Sequence, residues 1–356
     1  MATTDMLKTI SPVDGRIYVE RSLHGAADID RALAAAQIAQ RVWASLTLTT
    51  RCEMLAKAVD AFCAKGDETA AEITWQMGRP IAHAPGEIRG FAERARYMLD
   101  IAAQTLEPVR PADKAGFKRQ IKRVPLGLVV VVAPWNFPYL TAVNAVLPAL
   151  IAGNAVLLKH SHQTPLCAER FFQAFASADV PAGVFQYLHL SHANTAGLMG
   201  DARVANVCFT GSVSGGKAVV AATAAGFATS GLELGGKDPA YVRADANLAH
   251  AIDTLTDGAF FNAGQSCCGI KRIYVAAPVY EAFVAGVVDL TKQYRLGSPL
   301  DPQTTLGPVV RTTAAESIRA QVRASIALGA RQVIDSRLLS LALRRPSRPA
   351  FAKNTS

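Results

Sequence analysis

Runs of β-branched and other apolar residues alternate with helical patterns between positions 126 and 209. The run LGLVVVVA at 126–133 predicts a strand that is buried on both faces. Further strands are predicted at 155–159, 185–190 and 204–209, with helices at 140–152 and 166–178. This alternation predicts an α/β fold in which helices flank a parallel sheet, as in a doubly wound nucleotide-binding domain.

The pattern restarts after Pro239, which predicts a second α/β domain. Strand 270–276 and helices 248–261, 279–294 and 314–329 belong to it, whereas residues 28–104 read as helical scaffold. A chain of 356 residues is long for one hydrophobic core, so two domains are expected.

The net charge of +9 is concentrated at the C-terminus, because the last 21 residues carry five basic side chains and no acidic one. No basic stripe with interleaved aromatic residues occurs elsewhere in the sequence, which argues against nucleic-acid binding. The apolar run 140–158 contains Asn144, Pro148 and Asn154, and the N-terminus lacks the features of a signal peptide. With six scattered cysteines and no disulfide framework, we expect a cytoplasmic protein without a membrane span.

Two features indicate a nucleotide site. The run GSVSGG at 211–216 follows a predicted strand and precedes a helix predicted at 217–225, so its amides could face a pyrophosphate; a plain strand-to-helix turn is the alternative. Lys159 ends a strand, where nucleotide sites form, although it could be a solvated lysine. His160 and His162 alternate, but no third ligand is evident, so no metal site is predicted.

Three residues could carry covalent chemistry. Cys267, in GQSCCG, could be a nucleophile or a buried free cysteine. Glu233 lies on a short strand that ends in Gly235-Gly236, and it could act as a general base if burial raises its pKa, or form an ion pair. Asn136, in PWNFP, could stabilise an oxyanion or be a turn residue.

The motifs APWNFP, FTGS, LELGGKDP and FFNAGQSC occur in the order and spacing typical of aldehyde dehydrogenases, and residues from about 10 to 335 resemble that superfamily. The resemblance implies NAD(P)-dependent oxidation of an aldehyde to a carboxylic acid. Cys267 would attack the aldehyde, Asn136 and the Cys267 amide would hold the oxyanion, and Glu233 would activate water. Both Glu233 and Cys267 are expected at the seam between the two domains, and Cys268 is the less favoured nucleophile. The implied cofactor-binding residues are Trp135, Lys159, Gly183, Gly211, Ser212, Gly216, Leu234 and Gly235.

One position departs from the family pattern in a way that bears on the cofactor. The common run Lys-Pro-Ser-Glu is Lys159-His160-Ser161-His162 here, so His162 replaces a glutamate that favours NAD. The missing carboxylate removes a charge that would repel a 2′-phosphate, which leaves NAD and NADP both open.

The resemblance also implies a division of the chain. It assigns 1–112 to the helical part of the cofactor domain, 113–126 to an oligomerisation segment, 127–234 to the dinucleotide-binding domain, 235–335 to an incomplete catalytic domain and 336–356 to a basic tail outside the family pattern. The chain would then be a truncated family member, with an inactive fragment, retaining cofactor binding or esterase activity at most, as the alternative. Acyl transfer to coenzyme A is a further alternative that the presence of Glu233 disfavours. A homo-oligomer is typical of the family, and the sequence does not identify the aldehyde.

Overall fold

The computed structural model describes residues 5–334, and these form two compact units. The first unit comprises residues 5–9, 17–73 and 84–235, and the second comprises 10–16, 74–83 and 236–334. The domain boundaries inferred from the sequence stay predictions, and the tail at 336–356 lies outside the described residues. No helix within 5–334 is long and apolar enough to cross a membrane.

The N-terminal part of the chain is mainly helical, as expected. The short strands β1 (Met6–Ile10) and β2 (Ile17–Ser22), which the sequence reading missed, form a two-stranded sheet. The helices are α1 (Ala26–Ser45), α2 (Leu48–Cys63), α3 (Gly66–Met77), α4 (Pro85–Asp100) and α5 (Ala102–Leu106).

A five-stranded parallel sheet forms the centre of the first unit, which confirms the predicted fold class. Its strands are β3 (Leu128–Ala133), β4 (Ala155–His160), β5 (Phe185–Tyr187), β6 (Val204–Gly211) and β7 (Thr229–Leu234), in the order β5-β4-β3-β6-β7. The connecting helices are α6 (Pro138–Ile151), α7 (Leu166–Ser177), α8 (His192–Met199) and α9 (Val213–Thr223). Strand β5 ends three residues before the predicted end at 190, and α8 was not predicted.

Both faces of this sheet are covered. On one face, residues of α1, α8 and α9 pack with Val130, Leu157 and Val207 in one hydrophobic cluster. The helices α2, α4, α6 and α7 contribute a second cluster of aromatic rings: Phe62, Phe91, Tyr139 and Phe171. Because each such ring removes on the order of 150–250 Å² from water, the two layers fix the position of the strand ends that carry the candidate site.

Gly183, which the resemblance assigns to cofactor binding, has a packing role in this structure. It adopts φ +91° before β5, and a Cβ at this position would lie 2.9 Å from Cβ of Ala39 and 3.0 Å from the carbonyl oxygen of Ala35. The contact between α1 and the turn before β5 therefore requires glycine.

The second unit contains a parallel pair of strands joined by a helix. The strands are β8 (Asp238–Val242) and β9 (Ile270–Val275), and α10 (Leu248–Phe260) lies between them in the chain. The helices α11 (Tyr280–Thr291) and α12 (Thr312–Ala327) follow. The expected second α/β unit is confirmed, and its sheet has two strands among the described residues.

Candidate active site

The loop that carries Cys267 begins with an unusual backbone. After α10, a single 3-10 turn spans Phe261–Gly264, and Asn262, Ala263 and Gly264 have φ values of 55°, 56° and 71°. Left-handed residues rarely occur in succession, because the Cβ of an L-residue crowds its own backbone there. Cys267 follows in a turn and is exposed, so the alternative of a buried core cysteine is wrong.

A hydrogen bond joins two of the sequence motifs within the second unit. The amide of Gly236, in LELGGKDP, donates to the carbonyl oxygen of Cys267, in FFNAGQSC, at 3.0 Å. A Cβ at Gly236 would lie 3.2 Å from that oxygen and 2.9 Å from Oδ1 of Asp238. The second glycine of the pair thus permits the backbone of the nucleophile loop to approach β8 closely.

The local environment of Cys267 disfavours the thiolate form. Partial desolvation raises the pKa of the Cys267 thiol above its ordinary value, and the neighbouring Cys268 raises it further through its charge and a hydrogen bond. Thiolate is the nucleophilic form of cysteine. Formation of thiolate at neutral pH therefore requires a proton acceptor or a positive charge that these neighbours do not provide.

Asn136 lies in a turn between β3 and α6 and is half-buried. The start of α6 is held by Glu87, whose Oε1 accepts hydrogen bonds from the amides of Tyr139 at 3.0 Å and Leu140 at 2.9 Å. A buried carboxylate at a helix N-terminus satisfies amides that have no partner within the helix and interacts favourably with the helix dipole. The sequence reading missed Glu87, because its spacing within α4 gives no sign that it contacts another helix.

His160 holds the same turn from the sheet. Its Nε2 donates to the carbonyl oxygen of Pro138 at 3.1 Å, and its Nδ1 accepts from the amide of Ser161 at 3.0 Å. The two bonds fix the Nε2–H tautomer, and burial lowers the pKa of His160 to about 4. His160 is therefore a neutral structural residue at physiological pH.

Glu233 lies near the end of β7, opposite Thr210 of β6, and its side chain is exposed. The general-base hypothesis invoked burial of this carboxylate, and that condition is not met in the described structure. Glu233 and Asn136 belong to the first unit and Cys267 to the second. The predicted meeting of Glu233 and Cys267 at a seam between domains stays a prediction.

The glycine-rich turn after β6 is tighter than the sequence suggested. Helix α9 begins at Val213, four residues before the predicted start at 217, and Oγ of the N-cap residue Ser212 accepts from the amide of Gly215 at 3.1 Å. Cβ atoms at Gly211 and Gly215 would lie 2.6 Å and 2.5 Å from the ring of Phe209.

The other glycine in this turn serves the contact between α9 and β7. A Cβ at Gly216 would lie 2.8 Å from a methyl group of Leu234. By contrast, Gly235 is exposed and has no atom within 4 Å of such a Cβ. Trp135, another cofactor candidate, is half-buried in the turn after β3.

Lys159 is not a solvated lysine, because only 6% of it is exposed at the carboxyl end of β4. Burial lowers the pKa of its amine to about 8. The charge of Lys159 in turn contributes to lowering the pKa of His162, second to burial.

His162 is fixed by a backbone hydrogen bond and by a second imidazole. Its Nε2 donates to the carbonyl oxygen of Leu190 at 2.7 Å, and its ring stacks on His192 with centroids 5.9 Å apart. Basic side chains thus gather at the carboxyl end of β4. Within residues 5–334, no group of three or more His, Cys, Asp or Glu side chains could hold a metal ion.

The comparison with known proteins identifies the family. A family model described as the aldehyde dehydrogenase family matches residues 1–350. The chain belongs to this family. It is therefore, by family, an NAD(P)-dependent oxidoreductase that acts on aldehydes.

Three relatives illustrate the similarity. The chain is 36% identical over 328 residues to succinate-semialdehyde dehydrogenase [NADP(+)] 1 of Mycobacterium ulcerans, covering 91% of this chain and 71% of that protein. The structure of PnpE in complex with nicotinamide adenine dinucleotide has a TM-score of 0.87 at 30% identity, with 91% and 67% of the two chains covered. The succinic semialdehyde dehydrogenase of Streptococcus pyogenes, in complex with NADP+, has a TM-score of 0.87 at 27% identity, with 92% and 73% covered.

The buried amine of Lys159 predicts a specific dependence of stability on pH. Its folded pKa of about 8 lies below the ordinary value of 10.5, so the unfolded chain binds more protons between these two pH values. The free energy of unfolding should therefore gain a contribution on the order of 3 kcal/mol as the pH rises through this window. Denaturant titrations from pH 7.5 to 10.5 measure it as the difference between wild type and Lys159→Met.

Lys65→Met provides the control for this titration, because Lys65 is exposed and the substitution changes the net charge equally. The difference between wild type and Lys65→Met should stay flat over the same range. A flat difference for Lys159→Met as well would mean that Lys159 is solvated.

Proposed function

We propose that this chain oxidises an aldehyde to a carboxylic acid with NADP as the preferred cofactor and Cys267 as the nucleophile. The observation that carries the proposal is the exposed thiol of Cys267, at the end of a left-handed turn and tied through its carbonyl oxygen to Gly236. An exposed thiol on a fixed backbone can meet a substrate carbonyl in a defined orientation.

The chemistry of Cys267 and Asn136 supports their roles, and the role of Glu233 is the one that the family resemblance implies. The exposed thiol of Cys267 gives its proton to solvent water, and its Sγ forms a bond to the aldehyde carbon. The carbonyl π electrons move to oxygen, where the Asn136 amide and the Cys267 amide stabilise the negative charge. Loss of hydride from this thiohemiacetal leaves a thioester on Cys267. Glu233 takes a proton from water, which attacks the thioester and releases the carboxylic acid and the thiol. The nicotinamide cofactor would supply the hydride acceptor when bound.

The residues of the first unit suit a phosphorylated dinucleotide. The N-terminus of α9 presents amides that attract a pyrophosphate, and Ser212 caps it. Lys159, at the carboxyl end of β4, can donate to a ribose hydroxyl or pair with a phosphate. With His162 where the family commonly has glutamate, no carboxylate at this position repels a 2′-phosphate. These features, with the NADP-dependent relatives, support the preference for NADP.

We also propose that the substrate is a short aldehyde with a terminal carboxylate, such as succinate semialdehyde. Two of the relatives are succinate semialdehyde dehydrogenases, one of them 36% identical to this chain. The proposed substrate is separate from the proposed reaction, because succinate semialdehyde dehydrogenases share their nucleophile chemistry with other aldehyde dehydrogenases.

The first experiment measures NADPH formation by the purified 356-residue chain with succinate semialdehyde and with butyraldehyde, which has the same number of carbons but no carboxylate. We expect turnover, with a higher kcat/KM for succinate semialdehyde than for butyraldehyde. Cys267→Ser should lower kcat by at least about 10³-fold, because a hydroxyl is a far weaker nucleophile. Cys268→Ser is the matched control and should retain turnover.

Equal loss in the two variants would contradict the assignment of Cys267. Hydrolysis of p-nitrophenyl acetate, which needs the thiol but no hydride acceptor, is measured in parallel. Ester hydrolysis without NADPH formation would contradict the dehydrogenase proposal and favour the esterase alternative.

The cofactor preference depends on position 162. Wild type should have a lower KM for NADP than for NAD, and His162→Glu should raise the KM for NADP about tenfold or more, because a carboxylate repels the 2′-phosphate. His162→Gln removes the imidazole without adding charge and should have a smaller effect. Equal use of both cofactors by wild type and His162→Glu would contradict this part of the proposal.

We propose further that the chain acts in the cytoplasm as a homo-oligomer. The six cysteines are all free of disulfide bonds, which supports a reducing compartment. Segment 113–126 supports subunit contacts, because it exposes Phe117, Ile121, Val124 and Leu126, each more than half accessible.

Sedimentation velocity on the full chain checks the oligomer. The double substitution Ile121→Ser with Val124→Ser should lower the sedimentation coefficient to that of a monomer, since the contact loses its apolar area. A monomeric wild type, or an unchanged oligomer in the variant, would contradict the role of this segment.

A further inference from the structure

A buried arginine that is distant in sequence from Cys267 contacts the loop that carries it. Arg79 follows α3 and is 2% exposed, and its Nε donates to Oδ1 of Asn262 at 3.1 Å. Asn262 is itself buried. Hydrogen bonds from a charged donor to a buried acceptor are among the stronger ones in proteins.

From Asn262 the contact continues into the loop. Nδ2 of Asn262 donates to the carbonyl oxygen of Gln265 at 3.2 Å, and Nε2 of Gln265 donates back to the carbonyl oxygen of Asn262 at 3.0 Å. Oε1 of Gln265 accepts from the amide of Val310 at 2.8 Å. The turn that ends two residues before Cys267 is therefore closed by reciprocal side-chain bonds and tied at both ends.

The segment around Arg79 has little freedom to move. Gly78 has φ +84°, and a Cβ there would lie 3.0 Å from the ring of Pro308; one at Gly307 would lie 2.4 Å from the carbonyl oxygen of Gly78. These two glycine turns pack with no space for a side chain. Arg79 is thus presented to Asn262 from a rigid support.

This support matters because the loop stores strain. A left-handed conformation is unfavourable for a residue such as Ala263, and it persists only where surrounding contacts fix it. Arg79 and Val310 supply such contacts, through Asn262 and Gln265 respectively.

We propose that Arg79 is a positioning residue for the nucleophile, acting through Asn262 to hold the loop 262–267 in the conformation from which Cys267 reacts. The inference rests on the proposed role of Cys267 and adds a residue to it. Arg79 itself does not touch the reacting atoms in this proposal.

The test compares Arg79→Met and Arg79→Lys with wild type in the full chain. Arg79→Met removes the donor to Asn262, so kcat should fall about 10- to 100-fold, as expected for misplacement of a reacting group, with KM changed less than about twofold. Arg79→Lys can still donate one hydrogen bond, so its kcat should lie between those of wild type and Arg79→Met.

Two further readouts separate positioning from stability. Hydrogen exchange should accelerate at 262–269 in Arg79→Met. The pH midpoint of Cys267 alkylation by iodoacetamide, located by peptide mass spectrometry, should move down towards that of an ordinary thiol, because a released loop regains water. Neither readout depends on turnover, so both remain decisive if the wild-type chain fails to oxidise aldehydes.

Arg51→Met is the matched control. Arg51 is also buried, and its Nε donates to the carbonyl oxygen of Ile151 at 3.0 Å in the first unit. Arg51→Met should lower the melting temperature without changing hydrogen exchange at 262–269 or the pH midpoint of Cys267 alkylation. The same pattern in Arg79→Met, a lower melting temperature with kcat, exchange and midpoint as in wild type, would overturn the proposal.

A second variant covers the case in which Arg79→Met does not fold. Asn262→Asp keeps the acceptor for Arg79 and removes the donor to the carbonyl oxygen of Gln265. It should lower kcat and accelerate exchange in the loop as Arg79→Met does. Wild-type kcat and exchange in Asn262→Asp would show that the bonds between Arg79 and the loop do not position Cys267.

Discussion

Complete burial of β4 is the constraint on which the cofactor half of the molecule depends. All six residues of Ala155–His160 are buried, including Lys159 and His160 at the carboxyl end. Apolar layers on both faces hold the strand, and its last two side chains must therefore function in a place with little water. Burial then sets their protonation, since it lowers the pKa of Lys159 to about 8 and that of His160 to about 4. The neutral imidazole of His160 positions the turn of Asn136, whereas the amine of Lys159 is close enough to His162 to lower the pKa of that histidine.

The sequence predicted those features that arise from local pattern. The apolar runs and the helical spacing were sufficient for the parallel sheet and most of its helices, because each element is specified by its own residues. Strands β1 and β2 were missed because five or six residues with mixed polarity give a weak signal. The start of α9 was placed four residues late because glycine disfavours helix interiors, whereas here Gly215 and Gly216 are required by Phe209 and Leu234.

Residues whose role depends on long-range contact could not be predicted from the same patterns. Motif resemblance singled out Cys267, Asn136 and Glu233, but not Glu87, which lies 52 residues before the Tyr139 amide it binds. Arg79 is separated from Asn262 by 183 residues, and its immediate sequence neighbours do not indicate this contact. Only the folded structure brings such partners together, so the side chains that support a site are harder to predict than the ones that react.

The turn of Asn136 and the loop of Cys267, which carry the candidate chemistry, are held in place by different contacts. The turn of Asn136 is held by Glu87 of α4 and by His160 of β4, and both of these residues are buried. Its geometry therefore follows from the fold. The loop of Cys267 is exposed, begins with strained residues and keeps its shape through a few polar contacts. Since a thiol with a raised pKa reacts only where a proton can leave and a carbonyl can approach, exposure is a chemical requirement at Cys267. The rigidity of the loop must then come from a residue outside it. Arg79, buried on a fixed turn, meets that need without covering Sγ of Cys267.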